Sequence, residues 1–344
     1  MKRVFMFLLS FSVFMLGTIS CFAETEAKKE EDNSLEKAKS AILMCMDTGD
    51  IIYEKNAYEH CSPASVTKVM SILLILEALD SGKITLNDSV AASEKAVAMG
   101  GSQIWLEVGE KMTVDELLKA VVVASANDAC MALGEYIAGS DTGFIKMMND
   151  RAKELGLENS NFENCTGLDD TVTNHYSCAY DIAVIAKEVM KHETVKNYTS
   201  IWLDSLRNGK TELNNTNKLV NTYSGITGLK TGTTSNAGFC LCATAERDGM
   251  NLVAVVLGCE TSDDRFEGAT NLLDFGFANY QLVEPKFDKS KITDVKIKNG
   301  VEKSISPSLA DAEKILVAKG SGEIEYTYEI NKEMPAPVNK GDKL

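Results

Sequence analysis

A nearly unbroken apolar run from Val69 to Leu79 follows Pro63-Ala64-Ser65-Val66-Thr67-Lys68 and ends near Asp80-Ser81-Gly82. A helix that is apolar on every side has to be wrapped by other elements, so this chain must build layers around it. Pro63 fits just ahead of such a helix and Gly82 fits as its stop. The 344 residues leave room for about two domains. With 44% hydrophobic and 25% charged residues, the composition is that of a globular protein rather than a disordered one. The 24 glycines and 5 prolines are too few for a collagen-like or low-complexity chain.

Ser65 and Lys68 are three residues apart and share a face at the start of this helix. A serine hydroxyl is a weak nucleophile until a base takes its proton. A lysine can be that base only if burial, or a second cation, brings its pKa far below the unperturbed value of about 10.4. The backbone N–H of Ser65, at a helix N-terminus, also lies where negative charge could be held. The plainer reading is that Ser65 is an N-cap and Lys68 an exposed first-turn lysine. Against that, Lys68 opens a run with hardly any polar residue, so a solvated face is hard to find.

Thr113-Val114-Asp115-Glu116 has the form of a capping box ahead of a helix through Val121–Val123, which then meets Ser125-Ala126-Asn127-Asp128. Ser125 and Asn127 cannot share a helical face at a spacing of two. They converge only if the chain breaks there, and polar groups ending so apolar a stretch need partners. Taken alone, a helix end followed by a new cap before Cys130 is the better explanation of them, and the motif gains weight only beside the others. Farther on, Lys230-Thr231-Gly232-Thr233-Thr234 precedes two segments, Gly238–Ala245 and Asn251–Gly258, that read as antiparallel strands joined by residues 246–250. On a preceding strand, Lys230 and Thr231 offer a cation and a hydroxyl, and Gly232 lets another molecule approach the backbone. That combination suits a carboxylate ligand; by itself it is better explained as a strand edge with a solvated lysine. Upstream, Ala41–Met46, Asp47–Asp50 and Ile51–Tyr53 read as strand, turn and strand.

The formal charge of −15 and a pI near 4.8 weigh against nucleic acid as a partner. Nine cysteines are scattered, several of them inside apolar runs, and are expected mostly as free, buried thiols. Cys240 and Cys242 share a strand face, but no second ligand pair follows, so no metal is expected. Met1-Lys2-Arg3, the apolar run Val4–Phe22 and Ala23 describe a secretory signal over residues 1–23. Cleavage after Ala23 leaves 344 − 23 = 321 residues and a charge of −15 − 2 = −17. An uncleaved membrane anchor and a lipoprotein signal ending at Cys21 remain as rivals. On each reading the active part is exported, to the outer face of the cytoplasmic membrane, the cell wall or the medium. Residues 24–40 read as a charged, solvated linker, and residues 41–282 as the catalytic domain. Residues 283–344 read as a small β domain with short strands at Val295–Ile297, Ile315–Val317 and Glu323–Ile330. It is expected to be cut short, since Lys340–Leu344 falls in mid-hairpin.

The order Ser65-x-x-Lys68, Ser125-Ala126-Asn127, Lys230-Thr231-Gly232 resembles the serine penicillin-binding and β-lactamase superfamily. Met99-Gly100-Gly101-Ser102-Gln103, Asn164-Cys165-Thr166-Gly167-Leu168, His175-Tyr176-Ser177 and Asn217-Lys218-Leu219 are similar to the D-alanyl-D-alanine carboxypeptidases among the low-molecular-weight penicillin-binding proteins. The likeness runs from about Ala41 to Tyr280. It implies an α/β (α+β) fold, with an antiparallel sheet flanked by helices and a helical subdomain opposite, the site lying between them. It implies peptidoglycan stem peptides ending in D-Ala-D-Ala as substrate, β-lactams as acylating inhibitors, and no metal or organic cofactor. Ser65 would be the nucleophile, Lys68 its base, and Ser125, bridging Lys68 and Lys230, the proton carrier to the leaving D-Ala. Asn127 would hold the peptide amide. Lys230, Thr231, Gly232 and Thr233 would bind substrate, chiefly its carboxylate, and the N–H groups of Ser65 and Thr233 would form the oxyanion hole. Lys230 would also help to keep Lys68 uncharged by repulsion. His60, His175 and His192 have no part in this chemistry, and His175 reads as structural. Relatives commonly continue into an amphipathic helix on the membrane; peripheral membrane association is therefore an expectation from resemblance. A β-lactamase would carry a Glu-x-x-Leu-Asn segment, absent here although Glu163-Asn164 falls in that stretch. A non-catalytic β-lactam- or peptidoglycan-binding protein is the rival from another class.

Overall fold

The computed structural model describes residues 33–344 apart from Thr171 and residues 286–287, 308–313, 323–329 and 340–344. The expected signal segment, residues 24–32 of the linker, nearly all of the strand read over Glu323–Ile330 and the terminal Lys340–Leu344 lie outside the described residues. The last part of the linker is docked rather than solvated. Asn33–Glu36 forms a short helix, Leu35 packs on the core and Ala38 is buried, because these are the apolar residues of an otherwise charged stretch.

Strand β1 (Ser40–Cys45) is buried throughout and pairs antiparallel with β2 (Ile51–Lys55), giving the expected hairpin. The longer helices that follow, ahead of the sheet's last three strands, are α1 (Lys68–Asp80), α2 (Val114–Val123), α3 (Asn127–Ala138), α4 (Asp141–Glu154) and α5 (Ala179–Val189). Side chains of α1 from Lys68 to Leu76 are all buried, as its all-round apolar sequence requires. Thr113 and Glu116 close the capping box on α2: the Thr113 hydroxyl accepts from Glu116 N–H at 3.2 Å, and Thr113 N–H donates to the Glu116 carboxylate at 2.9 Å. A hairpin, β3 (Leu203–Leu206) and β4 (Thr211–Asn214), precedes β5 (Ile226–Thr234), β6 (Gly238–Arg247) and β7 (Met250–Cys259). The sheet order is β2–β1–β7–β6–β5, with each neighbouring pair antiparallel.

Both faces of this sheet are covered. Strand side chains alternate, so Cys240 and Cys242 on β6 face one core with α1–α5, while Leu241, Ala243 and Ala245 face the other. That second core is closed by α6 (Ser262–Asn279) through Phe266, Leu272, Leu273 and Phe277. Each buried Leu or Phe adds roughly 1.5–3 kcal/mol, so the two cores fix the sheet between its helical layers. The fold is therefore the expected antiparallel sheet with helices on one face and a helical subdomain opposite.

Beyond the sheet, β8 (Tyr280–Val283), β9 (Val295–Lys298), β10 (Ser304–Ile305), β11 (Ile315–Ala318) and β12 (Glu333–Pro335) are short strands. β8 pairs with β11, and β9 lies between β10 and β12. Cys45, Cys61, Cys130, Cys165, Cys178, Cys240, Cys242 and Cys259 are all buried free thiols, filling core positions as small apolar side chains. Among the described residues no helix is long and apolar enough to cross a membrane.

Candidate active site

The chain enters α1 through a tight turn. Ala64 has φ +47°, and Ala64–Thr67 forms a 3-10 turn that runs into Lys68. In a 3-10 turn residues three apart eclipse each other, which brings Ser65 directly over Lys68. The Lys68 ammonium donates to Ser65 Oγ at 2.8 Å and to the Thr166 carbonyl at 2.9 Å, and its side chain is wholly buried. Burial brings its pKa down to about 8.

β5 crosses this turn with almost no clearance. A Cβ on Gly232 would lie 2.6 Å from the Pro63 carbonyl and 3.0 Å from Ser65 N, so only glycine lets the Lys-Thr-Gly strand lie against the serine. Lys230 is buried and donates to the Thr231 carbonyl at 3.0 Å. Its pKa is held well below the usual lysine value, first by burial and then by the nearby Lys68 and Arg265 cations. Burial is the leading cause at both lysines, and the repulsion between them, being mutual, disfavours holding both charges at once. Thr231 Oγ1 donates to Thr216 Oγ1 at 2.7 Å, and Thr216 N–H donates to the Val123 carbonyl at 3.2 Å. These bonds tie β5 to the end of α2, where the second motif begins.

Between α2 and α3 the chain breaks as the spacing of Ser125 and Asn127 demands. Ser125 sits at φ +61°, a left-handed conformation that turns its side chain out of helical register. Asn127 opens α3, its Nδ2 donating to the Gly100 carbonyl at 2.7 Å and its N–H to the Ser102 carbonyl at 2.7 Å. Ser125 Oγ and Asn127 Oδ1 are buried with no protein partner. The expected Ser125 bridge between Lys68 and Lys230 is therefore not formed: Lys68 is drawn to Ser65 and Thr166, and Lys230 to its neighbouring carbonyl. Buried polar atoms left unpaired are costly, and these two are free to bond a ligand.

Two further contributors lie outside the three short motifs, and only the second falls in a stretch that carries the family resemblance. Arg265, on α6, donates from Nη1 to the Gly232 carbonyl at 3.0 Å and to Thr233 Oγ1 at 2.9 Å, and stacks on Phe239 and Phe266. Asn164 organises the loop that supplies Thr166, accepting from Thr166 N–H at 3.1 Å and Gly167 N–H at 2.6 Å. A guanidinium fixed beside the exposed Thr233 adds positive charge at the mouth of the site, suited to an anionic ligand.

The site therefore combines a buried lysine on a serine hydroxyl, two unpaired polar groups and a cationic strand end. Residues 25–261 match the family described as D-alanyl-D-alanine carboxypeptidase. The chain belongs to the D-alanyl-D-alanine carboxypeptidase family. It is accordingly a serine hydrolase of the low-molecular-weight penicillin-binding protein type. It is 43% identical to the D-alanyl-D-alanine carboxypeptidase DacF of Bacillus subtilis, over all of this chain and 89% of that one. It is 33% identical to DacC of Escherichia coli, over 88% of this chain and 78% of the other. Penicillin-binding protein 5 of Haemophilus influenzae superposes with a TM-score of 0.81 at 32% identity, covering 89% of this chain and 90% of that structure. Penicillin-binding protein D2 of Listeria monocytogenes, solved in an ampicillin-bound form, superposes with a TM-score of 0.64 at 30% identity, over 70% of this chain and 98% of that one.

His175, expected to be structural, lies behind this carboxypeptidase site and supports its turn. Glu163 N–H donates to His175 Nδ1 at 3.0 Å, so the ring hydrogen is on Nε2, which donates to Thr67 Oγ1 at 2.8 Å. Among the described residues no group of three or more His, Cys, Asp or Glu side chains could hold a metal ion.

Proposed function

We propose that this protein is an exported serine D-Ala-D-Ala carboxypeptidase that trims the terminal D-Ala from peptidoglycan stem peptides and is acylated by β-lactams. The observation that carries this reading is the buried Lys68 amine at 2.8 Å from Ser65 Oγ. The neutral amine takes the Ser65 proton as Oγ attacks the carbonyl carbon of the penultimate D-Ala. The N–H groups of Ser65 and Thr233 hold the oxyanion; losing one such donor typically costs about 2.7–4 kcal/mol. The C–N bond then breaks, and the Ser125 hydroxyl, unpaired before substrate binds, comes between Lys68 and the departing amine and relays a proton from one to the other. Asn127 bonds the substrate amide through its free Oδ1. Lys230, Thr231, Thr233 and the fixed Arg265 take the terminal carboxylate, with Gly232 keeping the strand close. Water attacks the resulting ester while Lys68 takes its proton, and as the acyl C–O bond breaks Lys68 returns that proton to Ser65 Oγ, freeing the shortened peptide and the neutral amine. A β-lactam enters by the same attack, and its ring-opened acyl group stays on Ser65.

The test is the Ser65→Ala variant. It loses both D-Ala release from diacetyl-Lys-D-Ala-D-Ala and covalent labelling by fluorescent penicillin. Labelling that survives in the variant refutes Ser65 as the nucleophile, and rapid penicillin turnover by the native protein favours the β-lactamase reading instead. Export and peripheral attachment at the membrane belong to the same proposal. Intact-mass measurement of the protein from its own cells, with and without penicillin, reads the processing site, any lipid and the acylation stoichiometry together.

A further inference from the structure

One carboxylate joins the two chain segments that carry the proposed oxyanion donors. Asp169 Oδ2 accepts from Ser62 Oγ at 3.0 Å and from Thr234 Oγ1 at 2.6 Å. Ser62 lies three residues before Ser65, and Thr234 directly follows Thr233. The same Thr234 hydroxyl accepts from Ala237 N–H at 2.9 Å, which pins the turn from β5 into β6. Resting on the proposed acyl-transfer function, we propose that Asp169 is a positioning residue for acylation: it clamps the Ser65 turn to the end of β5 and fixes the gap between the Ser65 and Thr233 N–H groups.

Three features make a clamp of this contact rather than a surface hydrogen bond. The loop that carries Asp169 is itself rigid: Asn164 Oδ1 accepts from two successive N–H groups, and Asn164 Nδ2 donates to the Leu168 carbonyl at 2.6 Å. That loop also presses on the serine turn, since a Cβ on Gly167 would lie 1.8 Å from the Ala64 carbonyl. And it gives Lys68 its Thr166 carbonyl. One short segment, Asn164–Asp169, thus touches the base, the nucleophile turn and the carboxylate-binding strand. A carboxylate suits the clamp because two hydroxyl donors converge on one oxygen, and bonds to an ionised acceptor are roughly twice as strong as neutral ones.

An oxyanion hole works only when both donors aim at the place where charge develops, and a misplacement of about 1 Å can cost about 100-fold in rate. The measurement is stopped-flow acylation by a fluorescent penicillin, separating non-covalent Kd from the acylation rate constant, with melting temperatures alongside. Asp169→Ala lowers the acylation rate constant about 10- to 100-fold while Kd changes little. Asp169→Asn, which keeps an acceptor but loses the charge, recovers much of the rate. Ser62→Ala and Thr234→Val each remove one arm of the clamp and slow acylation, and neither adds to the effect of Asp169→Ala in a double variant. If Asp169→Ala fails to fold, the two single-arm variants decide alone: native acylation rates in both overturn the clamp. Native acylation in a folded Asp169→Ala whose melting temperature has dropped also overturns it, showing a merely structural contact. A native protein that is not acylated at all sinks the carboxypeptidase reading itself, and the clamp with it.

Discussion

The Lys68 amine lies 2.8 Å from Ser65 Oγ and 2.9 Å from the Thr166 carbonyl, with no exposed side-chain surface. The geometry places a base on the nucleophile, and the burial makes the base usable. An exposed lysine is almost wholly charged at neutral pH; here burial brings the pKa to about 8, so a useful fraction of neutral amine exists near pH 7.

Acylation by penicillin should therefore rise with pH through about 8 and then level off, because the neutral amine is the active form. Lys68→Arg keeps a cation that does not lose its proton in this range, so its acylation should stay negligible from pH 6 to 9. A flat native profile across pH 7–9, or brisk acylation of the arginine variant, would remove Lys68 as the base.

The same burial has a cost in stability. The pKa of Lys68 is lower folded than unfolded, so between about 8 and 10.5 the unfolded chain binds more protons and stability rises with pH. Below pH 8 the penalty is fully present, at most about 3 kcal/mol. Lys68→Met should be inactive yet at least as stable as the native protein in urea at pH 7, with the advantage shrinking towards pH 10.5. A variant less stable by the same margin at both pH values would show that the amine's hydrogen bonds outweigh its desolvation.

Much of this was legible in the sequence, for local reasons. The run Val69–Leu79 announces a buried helix, Thr113 and Glu116 announce a cap, and Asp47–Asp50 announces a hairpin turn; each signal resides in adjacent residues. The three motifs could be found singly; the fold packs Gly232 against the Ser65 turn and ties Thr231, through Thr216, to the helix end just before Ser125. What stayed hidden depends on distant contacts. Arg265 reaches Gly232 across 33 positions, and Asp169 reaches Ser62 across 107, with no spacing rule to reveal either. The spacing of Ser65 and Lys68 predicts neighbours on an α-helical face, whereas the structure has them eclipsed. The eclipsing arises from a 3-10 turn after left-handed Ala64, a conformation that nothing in the residue type requires.

His175 should make the protein acid-sensitive. Burial holds its pKa down at about 4, against about 6.5 unfolded, so between these values the unfolded chain takes the proton and the native one does not. Stability thus falls as pH drops from 6.5 to 4, by up to about 3 kcal/mol from this residue. Urea titrations of His175→Gln, whose amide can still donate to Thr67 Oγ1 and accept from Glu163 N–H, should show a shallower loss over that interval. Equal slopes for both proteins would assign the acid sensitivity elsewhere.

Gly167 tests how closely the Thr166 loop must approach the serine turn. Its φ is +82°, and an added Cβ would meet the Ala64 carbonyl at 1.8 Å and Thr67 Oγ1 at 2.7 Å. Gly156, with φ +71° and nothing within 4 Å, supplies the matched control. Gly156→Ala carries only the left-handed backbone penalty of about 1–2 kcal/mol, and its acylation should be native. Gly167→Ala carries the same penalty plus a clash with main chain that no rotamer relieves. The loop must move off Ala64, taking with it the Thr166 carbonyl that holds Lys68. It should lose clearly more stability than Gly156→Ala in urea and acylate at least about 10-fold more slowly, since misplacement of reacting groups is what enzymes tolerate least. Matching losses in the two variants, with native acylation in both, would mean that the close approach of loop and turn does not set the site.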